Sequence, residues 1–172
     1  MLASRLVTLI EQHAEQLTKG VVHELRTDPR TSSYHRLDRH EDHDRVFAVM
    51  HNLGEWLDYK SDIATKQAYR SLGQKRFWEG IPLAEAICAL MLTKRAICRF
   101  IQSGGWMDSP LDLCQQVELH SLISRFFERA IYFTVLSYEA EARLSGKMTA
   151  HPEPHKRKFS FGWAAGGSAK AV

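Results

Sequence analysis

The chain has 172 residues, 44% hydrophobic and 25% charged, a balance that excludes wholesale disorder and allows one domain with a real core rather than two. Lys94, Arg95 and Arg99 break the longest apolar stretch, so no segment reads as a membrane span, and Arg5, Glu11, Gln12 and Glu15 interrupt the N-terminal stretch where a secretory signal must be apolar, so the expected location is cytoplasmic. The net charge of +3 is carried by residues 151–172, where Lys156, Arg157, Lys158 and Lys170 face only Glu153, which leaves residues 1–150 neutral and without the basic field of a nucleic-acid binder.

Leu6, Ile10, His13 and Leu17 recur at helical spacing and predict a first helix from about Leu2 toward Val22, ended by Thr27, Asp28 and Pro29. Val46, Met50, Leu53 and Leu57 predict a second from about Arg39 to Leu57, with an acidic start between Asp38 and Asp44 that suits a helix N-terminus. Ser61 before Asp62 is placed to cap a third helix running through Tyr69 and Leu72 to about Trp78, and Gly80 stops it. Pro82 suits the first turn of a fourth, whose apolar face is Leu83, Ile87, Leu90, Ile97 and Ile101, and Gly104 and Gly105 end it. Residues 111–145 contain neither glycine nor proline, and Leu119, Leu122, Phe126, Ala130 and Phe133 keep the helical period, so this is the longest helix. Within it Ile131–Leu136 has strand-like propensity but no strand to pair with. The expected fold is all-α, with five or so helices in globin-like or helical-bundle packing. They form one domain over residues 1–146, followed by a basic tail over 147–172 that lacks an apolar period and is expected to be disordered.

Gly80-Ile81-Pro82 is the ordinary composition of a helix–helix corner, and Arg76 and Glu85 flank it as surface charges that could pair. Taken together, Gly73, Arg76, Gly80, Ile81, Pro82, Leu83 and Glu85, followed by an aliphatic helix with basic residues, resemble the N-terminal domain of the RsbR-type co-antagonist proteins, the RsbRD N-terminal family. The resemblance extends over about residues 2–145, with Tyr34 and the aromatic final helix in compatible places, and is sharp only in this short stretch. It implies a helical, dimer-forming input domain of a bacterial stress-signalling or related regulatory system, related in fold to globins that have lost haem. Such domains usually precede an output module such as a STAS domain, and this chain ends soon after its helical region, so the resemblance implies either a regulatory protein partner bound in trans or a stand-alone relative with a different role. Arg76 and Glu85 then become a candidate polar site at the corner.

His35, His40 and His43 lie among Asp38, Glu41, Asp42 and Asp44, and His40 with His43 or Asp44 spans one helical turn, but no third metal ligand is placed and an acidic helix start explains the same residues. His13, His51 and His120 sit on mostly apolar faces. Because a globin-like haem needs only one inward axial histidine, a haem- or small-ligand-binding sensor is the alternative to an expectation of no cofactor and no metal. There is no G-x-S-x-G elbow, no Gly-rich phosphate loop and no Cys-x-x-Cys pair, so no catalytic residue is expected. Cys88, Cys98 and Cys114 fall in apolar helical patterns and read as small hydrophobes. The final helix carries Phe126, Phe127, Ile131, Phe133 and Leu136 around much of its circumference, which predicts a homodimer. In the tail, Lys156, Arg157 and Lys158 with Phe159, Phe161 and Trp163 form a candidate partner-docking segment.

Overall fold

Every periodic segment folds as a helix in the computed structural model, which describes residues 4–58, 61–103 and 110–146. Among the described residues there are seven α-helices, one 3-10 segment and no strand: α1 (Ser4–Gln12), α2 (Ala14–Thr27), the 3-10 segment (Pro29–Arg36), α3 (Arg39–His51), α4 (Leu53–Leu57), α5 (Asp62–Trp78), α6 (Leu83–Ser103) and α7 (Pro110–Leu144). None of these helices is long and apolar enough to cross a membrane. The all-α class holds, including Ile131–Leu136, whose β-branched residues stay inside the 35-residue α7 because Thr134 is fully buried against α5.

The five or so expected helices appear as eight segments, because two of them break and a 3-10 segment is added between α2 and α3. The first breaks at His13 (φ −99°, ψ 12°), where the ring Nδ1–H donates to Leu9 O at 2.8 Å and competes with the backbone for that carbonyl. Ile10 and Ala14, four residues apart, stay on the buried side across the break. The second breaks at Asn52 (φ −112°, ψ 31°), whose side-chain amide donates to Ala48 O at 3.0 Å. The Glu11 carboxylate of α1 accepts from Gly54 N at 2.9 Å and so satisfies one of the amides exposed where α4 restarts. Asp28 accepts from Arg30 N and starts the unforeseen 3-10 segment. Ser61 stands at the head of α5 as expected, but its hydroxyl donates backwards to Trp56 O and Asp58 O rather than capping the helix.

Helices α5 and α6 both pack on α7, while α2 bridges α3 and α6, so the core is shared by Ile10, Val21, Met50, Ile97, Leu119 and Ile123, each no more than 1% exposed. The α5–α7 contact is the closest. A Cβ at Gly73 would fall inside the van der Waals envelope of Thr134 O and Ser137 Oγ, so only glycine lets the two backbones approach this far. Thr134 Oγ1 tightens the same contact by donating to Tyr69 O at 3.3 Å as well as to Ala130 O at 2.8 Å.

Candidate functional site

The corner between α5 and α6 is built by a Schellman cap. Gly80 takes φ +69°, its N–H donates to Phe77 O at 3.0 Å, and Ile81 N–H reaches back to Arg76 O at 3.0 Å. Ile81 is buried behind the cap, and Tyr138 of α7 donates its hydroxyl to Ile81 O at 2.9 Å. Pro82 then opens the way into α6, whose first backbone bonds run from Glu85 N and Ala86 N to Pro82 O.

The cap fixes Arg76 in the last turn of α5, on the same stripe as Thr65, Tyr69 and Leu72, and therefore points a guanidinium into the core. Arg76 is 1% exposed. Its Nη2 donates to Asp42 Oδ1 at 2.9 Å and its Nη1 to Glu79 Oε2 at 2.7 Å, and its guanidinium lies over the Tyr34 ring at 4.9 Å from the centroid. Asp42, from the first turn of α3, is 2% exposed and has Arg26 of α2 at 3.9 Å from its other oxygen. Around this buried centre Lys75 and Arg45 grip Glu41 at 2.6 and 2.9 Å. Three helices meet in one ionic network, and the 3-10 segment joins it through the Tyr34 ring.

Burial pushes the Asp42 carboxyl up, against the opposing pull of Arg76. For Arg76 burial works against the charge, but Tyr34, Glu79 and Asp42 outweigh it and raise the guanidinium further. Burial also lifts the Tyr34 phenol to about 12. The network therefore keeps its arginine charged and its phenol neutral across the physiological range.

Behind the network lies a partly open pocket of about 40 Å³, walled by apolar side chains such as Val46, Leu72, Leu90 and Phe127, with Tyr34, Asp42, Arg45, Tyr69, Arg76 and Thr93 as its polar lining. No histidine lines it. His13 is half-buried with its ring tilted against Phe100, His51 is exposed and stacked on Phe47, and His120 is half-buried on α7. A pocket this small, with no histidine in its wall, does not fit haem.

Arg76 and Glu85 stand apart: the expectation of a surface pair is corrected by a buried Arg76 that chooses Asp42 and Glu79. Glu85 faces the 3-10 segment instead, where it accepts from Ser33 N at 2.7 Å and Ser33 Oγ at 3.0 Å, and so pins that segment to the first turn of α6. His43 reaches Glu15 at 3.3 Å and stacks on Phe47, and no group of three His, Cys, Asp or Glu side chains that could hold a metal forms among the described residues. Cys88 and Cys98 are half-buried on α6 with their thiols pushed up by burial, whereas Cys114 is exposed on α7, unlike the buried hydrophobe expected of it. Lys156, Arg157, Lys158, Phe159, Phe161 and Trp163 lie outside the described residues. Asp42, Arg45 and Tyr69, which complete the site, carry no motif; the usable signal was phase, since Asp42 precedes Val46 and Met50 at intervals of four on the buried stripe.

The fold and this network define an all-helical domain with a charged internal site. No family model matches the chain, and no curated protein or solved structure matches it.

Proposed function

We propose that this chain is a non-catalytic input or interaction domain that pairs with a second copy of itself through the outer face of α7 and passes its signal to a protein partner by altered helix packing. The observation that carries the reading is the surface of α7. Leu113 with Val117 near its start, and Tyr132 with Leu136 further along, form two exposed apolar patches about 100° apart round the helix, with Val117 62% and Tyr132 60% exposed and the exposed Ser121, Arg125 and Glu128 between them. The exposed side of a surface helix is ordinarily polar, and an apolar one marks a contact. A two-fold pairing would bury the same patches on both copies, which is the common closed solution for such a surface. The Gly73 to Glu85 stretch, with its resemblance to RsbR-type N-terminal domains, supports the same class of role in bacterial signalling.

Phe126 and Phe127, expected to contribute to pairing, are core residues, so the pairing face rests on the four exposed side chains instead. Sedimentation equilibrium of the full chain tests the proposal. The expected result is a dimer that Val117→Glu with Tyr132→Glu converts to a monomer of unchanged circular dichroism. A wild-type chain that remains monomeric at high concentration would refute the pairing.

A further inference from the structure

The polar lining of the pocket is unbalanced toward donors. Arg45 and Arg76 both line it, and the Nε–H of each is buried with no hydrogen-bond partner. Tyr34 and Tyr69 line it as well, and their buried phenols can donate or accept, so they do not change this balance. Against the two Nε–H groups stands one unpartnered buried acceptor, Asp42 Oδ2, which lines the same pocket and has Arg26 at 3.9 Å. Buried donors without acceptors are costly and rare, so an arrangement that keeps two of them beside an open space calls for an acceptor in that space.

Charge points the same way. The linked network contains Arg26, Arg45, Lys75 and Arg76 against Glu41, Asp42 and Glu79, which leaves one positive charge uncompensated. Size sets the remaining limit. With about 10–15 Å³ needed for each water on this measure, 40 Å³ holds about three waters, or one compact ion of similar bulk, and excludes an aromatic ring.

We infer that this cavity is a binding site for a small monovalent oxyanion, of the class of formate, nitrate or bicarbonate, held by the free Nε–H groups of Arg45 and Arg76 within an apolar wall. Charge-assisted hydrogen bonds from a guanidinium to an oxyanion are strong and directional. An ion there would tie α3 to α5, because Arg45 belongs to the first and Arg76 to the second. The inference is independent of the pairing of α7, since a monomer would carry the same cavity.

Thermal melts and isothermal titration calorimetry of the full chain with sodium formate, nitrate or bicarbonate, against sodium chloride at matched ionic strength and pH, test it. At tenfold excess over Kd at least one of the three anions should raise Tm by about 3–5 °C and saturate. Arg45→Lys keeps the charge and the partner Glu41 but loses the Nε–H, and should weaken binding about tenfold. Ala89→Leu, which fills the cavity, should abolish it. Sodium benzoate, with the same carboxylate on a ring too large to enter, should give no rise. No rise above chloride for any of the three anions means that the cavity holds water alone and overturns the inference. It is equally overturned by a rise that survives both Arg45→Lys and Ala89→Leu, or by one that benzoate matches.

Discussion

Replacing Gly73 by alanine adds one methyl group at the narrowest point between α5 and α7. The new Cβ would overlap Thr134 O, a backbone atom, and Ser137 Oγ, whose hydroxyl is already committed to Phe133 O at 3.0 Å and Thr134 O at 3.2 Å. Neither neighbour can swing aside as a flexible side chain would, so the penalty belongs at the upper end of core overpacking, about 3 kcal/mol. Alanine recovers about 1 kcal/mol through its better helix propensity. The net destabilisation is about 2 kcal/mol, a drop in Tm of about 4–8 °C for a chain of this length. Gly20→Ala is the matched control: it lies in α2, is exposed, and nothing stands within 4 Å of its added Cβ. There the propensity gain acts alone and should stabilise by about 0.5–1 kcal/mol. Urea denaturation of the two variants beside the wild type gives both numbers. If Gly73→Ala is as stable as the wild type, or if the two substitutions move stability in the same direction, the close-approach reasoning is wrong.

Tyr138→Phe removes the hydroxyl that holds Ile81 O while keeping the ring against Phe77, and should cost about 1 kcal/mol, read as a Tm lowered by about 2–4 °C with no change in helicity. Asp28 is held down to about 2 by side-chain and backbone hydrogen bonds from Arg30, against an ordinary 3.8. Its folded value lies below the unfolded one, so its contribution is present above about 3.8 and is lost as pH falls through about 2. Melting temperature followed from pH 5 downward (about one step per half unit) should therefore fall more steeply in the wild type than in Asp28→Asn, which retains the acceptor for Arg30 N but not the charge.

The ends of α5, α6 and α7 were legible because each is written locally, in a cap, a proline or an uninterrupted period, and Gly80 in particular can be read as a stop without knowing what lies nearby. The breaks at His13 and Asn52 were not, since in both the apolar stripe runs on unbroken and the interruption comes from a side chain bonding to a carbonyl one turn earlier. The buried network was hidden by residue type. Arg76 and Asp42 occupy apolar phases of α5 and α3, but charge ordinarily signals a solvated face, and their partnership spans 34 residues of sequence that periodicity cannot connect. Glu85 illustrates the opposite error: it lies near Arg76 in sequence, yet the turn of α6 carries it to Ser33.

Whether Arg76 and Asp42 serve stability or something else can be separated by a double-mutant cycle. Arg76→Met alone leaves Asp42 buried with only Arg26 at 3.9 Å, and Asp42→Leu alone removes one of the two strong acceptors of a guanidinium that is 1% exposed. Arg76→Met strands a buried carboxylate and should cost about 3–5 kcal/mol, and Asp42→Leu, where Arg76 keeps Glu79 at 2.7 Å, should cost about 3 kcal/mol. Together they replace an ion pair by two apolar side chains, and since Glu79 keeps Lys75 at 3.8 Å, no carboxylate is left buried without a cation. The double variant should accordingly be far more stable than the sum of the single losses implies, within about 2 kcal/mol of the wild type. Such an outcome would mean that the fold does not depend on the pair, so its presence beside the cavity would call for a role in binding, and the double variant should have lost the oxyanion-dependent rise in Tm while remaining folded. A double variant that costs the full sum would show instead that the pair is structural in its own right, as a scaffold joining α3 to α5.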